Sequence, residues 1–290
     1  MISRTTMGVG LSLLAGVCLS TGGIALRLVE SANGFQILFY RALTFLTLML
    51  VFILLTYRSR TLSAIRDIGR AGVLVAFMLG LGAIFYVLAI LHTTVANTVV
   101  ILSTSPLLTA ALGWLVLGLK AGKDTLVAAT LAVLGVMLMV VDGLTSGGLW
   151  GMLIAFAAAG CFAVMLVTLQ RARGRDMLPA TGLSGLVTLT IAWLGAASLQ
   201  ISLHDAAIGM FLGSFQFGLG FVLITFATRY IDGPLVALLT LSEVILAPIW
   251  VWLGIGETPA PLALLGATIV LVAVTTQAIR ALRPAPSANA

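Results

Sequence analysis

The chain has 290 residues, of which 61% are hydrophobic and only 8% are charged, and its mean hydropathy is +1.20. Because a soluble domain carries roughly a quarter of its residues as charged side chains, this composition excludes a soluble globular protein and predicts a surface that faces lipid. The net charge of +6 does not indicate nucleic-acid binding, since the basic residues stand singly or in small groups between apolar runs.

Apolar runs divide the chain into ten predicted transmembrane helices. A membrane-spanning helix needs about 20 mostly apolar residues. Charges, Gly and Pro delimit spans at 8–28, 35–56, 71–91, 95–118, 124–141, 149–169, 180–201, 207–228, 234–254 and 261–280. The first run is long enough to be a retained helix rather than a cleaved signal peptide. We therefore expect an all-α membrane protein with short connections and no inserted soluble domain.

The distribution of charge predicts the orientation. With a cytoplasmic N-terminus, thirteen of the fifteen Lys and Arg residues fall on the cytoplasmic side, and only Arg27 and Arg41 lie near outer helix ends. The predicted outer loops instead carry Glu30, His92, Asp142, His204, Asp205 and Glu257. Since cytoplasmic loops are enriched in Lys and Arg, both termini are expected in the cytoplasm.

The two halves of the chain resemble each other. Ala96–Lys120 can be overlaid without gaps on Gly233–Glu257, and Gly8–Cys18 on Gly151–Cys161. Each half holds five spans, an odd number, so the second half must be inverted, and matching loops do have opposite charge bias. The predicted organisation is 1–145 as the first five-helix repeat, 146–282 as the second, inverted repeat, and 283–290 as a cytoplasmic tail.

The fourth and ninth spans share a pattern that ends in a Leu-Gly motif. It runs from Ser105-Pro106 to Leu117-Gly118-Leu119-Lys120, and from Ser242-Glu243 to Leu253-Gly254-Ile255-Gly256-Glu257. With the two five-helix halves, this pattern resembles the EamA branch of the drug/metabolite transporter superfamily. The resemblance implies proton-linked or exchange-type export of amino acids and related metabolites from a bacterial inner membrane. It also implies a midplane cavity bounded by the first, third, fourth, sixth, eighth and ninth spans.

Two charged residues within the spans are candidate functional groups. Glu243 lies near the centre of the ninth span, where a charge costs a few kcal/mol and should face a cavity or a partner. It is predicted to couple protons or bind a substrate amine, or else to be a structural carboxyl bonded to a neighbouring helix. Arg41 could bind a substrate carboxylate, or it could snorkel to the outer interface.

Other residues are predicted to line or hinge the cavity. Pro106 and Pro248 lie at corresponding depths of the two halves, and Asn97 precedes Pro106 in the same span. Broken helices at such positions point to a binding site, although tolerated kinks are the alternative. The predicted lining residues and hinge glycines are Met78, Gly82, Tyr86, Asn97, Gln216 and Gly220, with packing as the alternative for the stripes Met78–Gly82–Tyr86 and Gln216–Gly220.

Further residues have structural interpretations. Trp114, Trp250 and Trp252 lie toward helix ends and are expected to anchor at the interface, with a gating role as the alternative. The pair Gly209 and Gly213 predicts tight helix packing. Cys18 and Cys161 lie in apolar runs and are interpreted as small packing residues.

No enzymatic or cofactor motif is present in the sequence. HExxH, GxSxG, P-loop and GxGxxG patterns are all missing, and no metal site or cofactor is predicted. The expected partners are a small-molecule substrate and the lipid bilayer, and a homo-oligomer is compatible with the sequence. The alternatives to an amino-acid exporter are a carrier of other solutes, such as cationic drugs or nucleotide-linked metabolites, and a non-transporting membrane scaffold.

Overall fold

The structure is a computed structural model that describes residues 4–93, 95–140, 149–256 and 261–282. Across these ranges the regular structure is helical and no strand occurs. Seven helical stretches within them are long and apolar enough to cross a membrane. The prediction of an all-α protein with many membrane helices is therefore confirmed.

The helices follow the predicted apolar runs in chain order. The first half contains α1 (Arg4–Arg27), α2 (Gly34–Tyr57), α3 (Thr61–Asp67), α4 (Gly69–His92), α5 (Val95–Leu102), α6 (Ser105–Leu117) and α7 (Lys123–Val140). The second half contains α8 (Leu149–Arg171), α9 (Leu178–Gly195), α10 (Leu203–Phe211), α11 (Gly220–Ala227), α12 (Gly233–Thr240), α13 (Ser242–Ile255) and α14 (Pro261–Leu282). A π-helical segment, Leu212–Leu219, joins α10 to α11.

The seventh span was predicted to extend further than the helix that the structure shows. Helix α9 stops at Gly195, six residues before the predicted end, and Ala196 is extended. The released carbonyl groups find partners on α2, because the Gln36 amide donates to the carbonyls of Ser198 and Gln200 at 3.0 and 3.1 Å. A side chain of α2 therefore binds the segment that follows α9, a contact that hydropathy alone does not reveal.

Two helical passages are interrupted at corresponding positions. Residues 103–104 separate α5 from α6, and Leu241 separates α12 from α13. The overlay of Ala96–Lys120 on Gly233–Glu257 brings these two breaks together. Pro106 stands at the start of α6, where its missing N–H costs nothing. Helix α13 continues through Pro248, so the break in the second half lies at Leu241 instead of the predicted hinge at Pro248.

The connections gather at two opposite ends of the bundle. At the end that we name the basic end, Arg229 Nη2 lies 2.6 Å from Asp176 Oδ1, and the Tyr57 hydroxyl donates to Asp176 Oδ2 at 2.5 Å. Arg173 pairs there with Asp232 at 2.9 Å. Loops that the charge pattern assigns to one side of the membrane therefore lie together.

The opposite end, which we name the acidic end, is held by the carboxylate of Asp205. This group accepts hydrogen bonds from the backbone N–H groups of Glu30, Ser31 and Ala32 at 2.9–3.1 Å and from the Ser31 hydroxyl at 2.9 Å. The α1–α2 connection is thereby fixed to the first turn of α10. Each end thus has a clasp of hydrogen bonds that joins the first half of the chain to the second.

Contacts between the two halves come in matching pairs. Helix α4 packs on α8 and α9, while α10, the π-helical segment and α11 pack on α1 and α2. Helices α5 and α6 pack on α8, whereas α12 and α13 pack on α1. A Cβ added to Gly82 would lie 3.8 Å from the carbonyl oxygen of Ala158, and one added to Gly220 would lie 3.8 Å from that of Ala15. Ala15 and Ala158 are equivalent in the overlay of α1 on α8.

Small side chains let these helices approach closely. Ala15, Ala132 and Ala159 are fully buried, and Cys18 and Cys161 are buried free thiols. Because lipid is as apolar as the helix surfaces, close packing of small residues is a main source of stability inside a membrane. The interpretation of both cysteines as packing residues is consistent with this placement.

Candidate functional site

Glu243 lies at the middle of the bundle beside a helix break. It is the second residue of α13, directly after the interruption at Leu241. At about 1.5 Å of rise per residue, it lies about 15 Å from the start of α12 and about 18 Å from the end of α13. Among the residues that the structure describes, its carboxyl group has no hydrogen-bond or ion-pair partner, which does not support the structural-carboxyl alternative.

Tyr86 and Arg41 complete a group of three polar side chains. Tyr86, on α4, lies close enough to both Glu243 and Arg41 to be within range of their charges. Both Tyr86 and Glu243 keep part of their surface accessible inside the helical bundle. The structure thus brings together a carboxyl, a phenol and a guanidinium that come from α13, α4 and α2.

The side chain of Arg41 points toward the centre of the bundle. Its guanidinium carbon lies 4.2 Å from the ring centroid of Phe217. Arg41 itself is about 10 Å in from the start of α2, whereas Phe217 lies about 20 Å in from the start of α10. This position over Phe217 favours an inward orientation of Arg41 over the alternative in which it snorkels to the outer interface.

Two glycines set the position of Arg41. A Cβ added to Gly213 would lie 2.2 Å from the carbonyl oxygen of Arg41, and one added to Gly209 would lie 2.8 Å from Tyr40 Cβ. The absence of side chains at both positions lets α2 lie directly against α10 and the π-helical segment. The tight packing predicted for Gly209 and Gly213 is confirmed, and its consequence is the placement of Arg41.

Gln216 lies in the π-helical segment and faces α1. Its Nε2 donates to the carbonyl oxygen of Leu19 at 3.3 Å, and a Cβ on Gly22 would lie 3.0 Å from that nitrogen. Gln216 Oε1 is buried, and within the described part of the chain it has no partner. Since π-helical turns are rare and often mark functional sites, Gln216 stays a candidate for the site. Gly220 also faces α1, as the predicted stripe requires.

A row of aromatic rings lies beneath Arg41, and sequence reasoning missed it. Phe217 is 5.1 Å from Phe45 and 4.5 Å from Phe221, and Phe221 is 6.1 Å from Phe162 (all between ring centroids). The spacing of Phe217 and Phe221 by four residues places both on one helical face and was a usable signal. Phe45 and Phe162 join them only because α2 and α8 pack nearby.

The remaining predicted residues lie around this group or outside the described side chains. Met78, on α4, packs against the buried core. Asn97 lies in α5 and Pro248 in α13, but their side chains are outside the described residues. The indole N–H of Trp250 donates to Ser20 Oγ at 2.8 Å, so Trp250 joins α13 to α1 rather than anchoring at the interface.

Trp114 and Trp252 are exposed, which agrees with the anchoring interpretation. The described ranges hold no cluster of three or more His, Cys, Asp or Glu side chains that could bind a metal ion.

Two apolar grooves lie apart from the polar group. One, of about 360 Å³, is lined by α1, α13 and α14, and the other, of about 380 Å³, by α2 and the segment from Gly213 to Val222. Neither includes Glu243, Tyr86 or Arg41. Their exposed linings, such as Phe52 and Leu271, suit contact with lipid chains. We therefore place the candidate site at the polar group.

The clasp at the basic end is charged at neutral pH. Partial burial raises the pKa of Asp176, but hydrogen bonds from Tyr57 and the Leu178 N–H, together with the charge of Arg229, outweigh burial and hold that pKa below its ordinary value. The carboxylate is therefore ionised at neutral pH. This clasp and the one at Asp205 lie at opposite ends of the site.

Comparisons with known proteins give matches over nearly the whole chain. The family model of the EamA-like transporter family matches residues 6–141 and 149–276. One solved structure, described as "Crystal structure of protein", is similar over 95% of this chain and 99% of its own, with a TM-score of 0.78 and 16% sequence identity. At that identity the similarity shows the fold alone. A search of curated proteins found no match.

Proposed function

The chain belongs to the EamA-like transporter family, and from this membership we propose that it is a secondary active transporter that exports small metabolites, foremost amino acids, by alternating access. The membership makes it a multi-pass membrane protein and a transporter of small solutes. The substrate class, the direction and the mechanism are the parts that we propose.

We propose ten membrane crossings arranged as two inverted repeats, residues 1–145 and 146–282, with 283–290 as a tail outside the described residues. Every predicted span coincides with one helix or with a broken helical passage, which supports this count. The matching contacts between halves support the exchange symmetry. Inverted repeats allow two halves to exchange conformations around a fixed site, which is how many secondary transporters alternate.

The two clasps are suited to act as alternating gates. The Asp176 clasp joins α2 to the α8–α9 connection, and the Asp205 clasp joins the α1–α2 connection to α10. Release of one clasp with retention of the other would open the site to one side only. Helices can bend or slide at four points, namely Gly82, Gly220, the break before Pro106 and the break at Leu241. Pro248 is proposed as a hinge within α13 only.

The observation that carries the proposal is the unpaired carboxyl of Glu243 at the middle of the bundle. Ionisable residues at that depth are costly and usually belong to substrate or proton pathways. We propose that Glu243 exchanges a proton or binds the substrate amine. Tyr86, Asn97, Gln216 and Met78 are proposed to line the same site.

Counterflow in proteoliposomes tests the function. Vesicles holding the purified protein are loaded with one unlabelled amino acid at a time, and uptake of labelled amino acid is followed with and without a pH gradient. Uptake that requires internal amino acid supports the carrier. If folded protein takes up no amino acid, the amino-acid assignment is wrong.

The variant Glu243→Gln tests the coupling role. Because the amide cannot exchange a proton, counterflow should lose its dependence on pH while the protein still folds. Glu30→Gln is the matched control, since the side chain of Glu30 is exposed at the acidic end. Unchanged transport across pH in Glu243→Gln would remove this residue from the mechanism.

The two alternatives predict different results. A carrier of nucleotide-linked metabolites needs convergent basic residues, and Arg41 is the cation whose guanidinium lies beside Phe217 within the described bundle. A carrier of cationic drugs should show counterflow with a lipophilic cation instead of an amino acid. A scaffold should keep its function when Gln216 is changed to Leu, whereas the transporter should lose activity.

A further inference from the structure

We infer that Arg41 binds the carboxylate of the transported solute, so that the site selects zwitterions over amines of the same size. This inference rests on the proposed function and names a subsite within it. Its support comes from the missing acidic partner of Arg41, from the way its side chain is held, and from its position relative to Glu243.

Arg41 has no acidic partner within the described chain. The ion pairs there join Arg173 to Asp232, Arg229 to Asp176, and Arg280 to Asp124. The guanidinium of Arg41 also donates no hydrogen bond to any described residue, and its close contact is the ring of Phe217. Basic residues inside a membrane are almost always paired. An unpaired guanidinium at this depth is therefore available for an anionic ligand group.

The packing holds this guanidinium ready for a planar anion. Gly213 fixes the backbone of Arg41 by close approach, and Phe217, itself packed between Phe45 and Phe221, supports one face of the guanidinium. The contact with the Phe217 ring leaves the N–H groups of the guanidinium without a hydrogen-bond acceptor among the described residues. Those groups match the two oxygen atoms of a carboxylate.

Glu243 and Arg41 form no ion pair with each other. Tyr86 lies close enough to both to be within range of their charges. We therefore infer that the solute carries one positive and one negative group, which would offer a partner to each of the two charges. An amine without a carboxylate would leave Arg41 unpaired in a poorly hydrated site, which costs affinity.

A comparison of amino acids with their amides tests the subsite. Each unlabelled amino acid and its C-terminal amide compete with the labelled amino acid that gives the strongest counterflow. In the unaltered protein the acid should compete at least about tenfold better than the amide, as expected for a charge-assisted bidentate contact. In Arg41→Gln the acid and its amide should compete about equally. Arg66→Gln, which removes an exposed charge at the basic end, should keep the full preference.

Arg41→Lys distinguishes the effect of the positive charge from that of the guanidinium geometry. It also keeps the test informative if Arg41→Gln does not fold. Lysine keeps the cation but lacks the planar fork, so the preference for the acid should be intermediate. If Arg41→Gln transports with an unchanged ratio of acid to amide, or if Arg41→Lys alone folds and shows the full preference, the subsite is wrong while the proposed function stands. If the folded, unaltered protein transports no amino acid, the proposed function itself fails and the subsite falls with it.

Discussion

At the scale of single residues, the site depends on where side chains are missing as much as on where they are present. Gly213 carries no chemistry, yet it determines how closely α2 can lie to the π-helical segment. Arg41 reaches Phe217 because of this approach. Sequence reasoning recognised Glu243 and Gly213 separately, but it could not connect the glycine to the arginine that it positions.

The variant Gly213→Ala tests this dependence. A Cβ there would lie 2.2 Å from a backbone carbonyl that no rotamer change can move. We expect a loss of about 1–3 kcal/mol of stability from overpacking, together with weakened transport because Arg41 is displaced. Thermal unfolding in detergent and counterflow measure the two effects.

Gly10→Ala is the matched control for that substitution. A Cβ on Gly10 would meet nothing within 4 Å. Since alanine favours a helix over glycine by up to about 1 kcal/mol, this variant should be neutral or slightly stabilised. Equal effects of the two substitutions would contradict the close approach at Gly213.

At the scale of elements, the helix breaks and the clasps have different structural roles. The breaks before Ser105 and Ser242 place short helices end to end near the middle of the bundle, where backbone groups and Glu243 can face a solute. The clasps act between elements far apart in sequence, such as the α1–α2 connection and α10. They hold the helices that we propose to move when the site opens.

The carboxylates of Asp205 at the acidic end and Asp232 at the basic end should differ in their contribution to stability. Asp205 accepts four hydrogen bonds, three of them from backbone N–H groups, so Asp205→Ala should lower the unfolding temperature clearly by leaving these donors unpaired. The side chain of Asp232 is 69% exposed in its pair with Arg173, so Asp232→Ala should cost less than about 1 kcal/mol. Thermal unfolding of both variants in the same detergent measures the two losses of stability. Similar losses would show that Asp205 does not stabilise the acidic end more than Asp232 stabilises the basic end.

At the scale of the whole molecule, the partition of charge and the grouping of connections agree. Residues from three predicted inner loops, Tyr57, Asp176 and Arg229, meet at the basic end, and residues from two predicted outer loops, Glu30 and Asp205, meet at the other. The positive-inside rule then predicts that the basic end faces the cytoplasm.

Labelling of single cysteines tests the orientation. In a chain with Cys18 and Cys161 replaced by Ala, Leu203→Cys, an 84% exposed position at the acidic end, should react with a membrane-impermeant maleimide in intact cells. Ser59→Cys, exposed at the basic end, should react only after the membrane is permeabilised. The reverse pattern would overturn the proposed orientation.

The amino-acid sequence by itself determined the membrane class, the positions of the apolar helices, the partition of charge between two ends and the likeness of the two halves. These properties belong to continuous segments and act through the bilayer, so hydropathy and charge reveal them without knowledge of packing. Glu243 was also recognisable, because a lone carboxyl in a long apolar run is conspicuous whatever surrounds it.

Only the tertiary structure decided which way Arg41 points, where α9 ends, that the second break lies at Leu241, and that Asp205 binds the α1–α2 connection. Each of these depends on how helices far apart in sequence rotate and approach one another. Contacts of single glycines and carboxylates set that approach, and the period of a single helix does not record it.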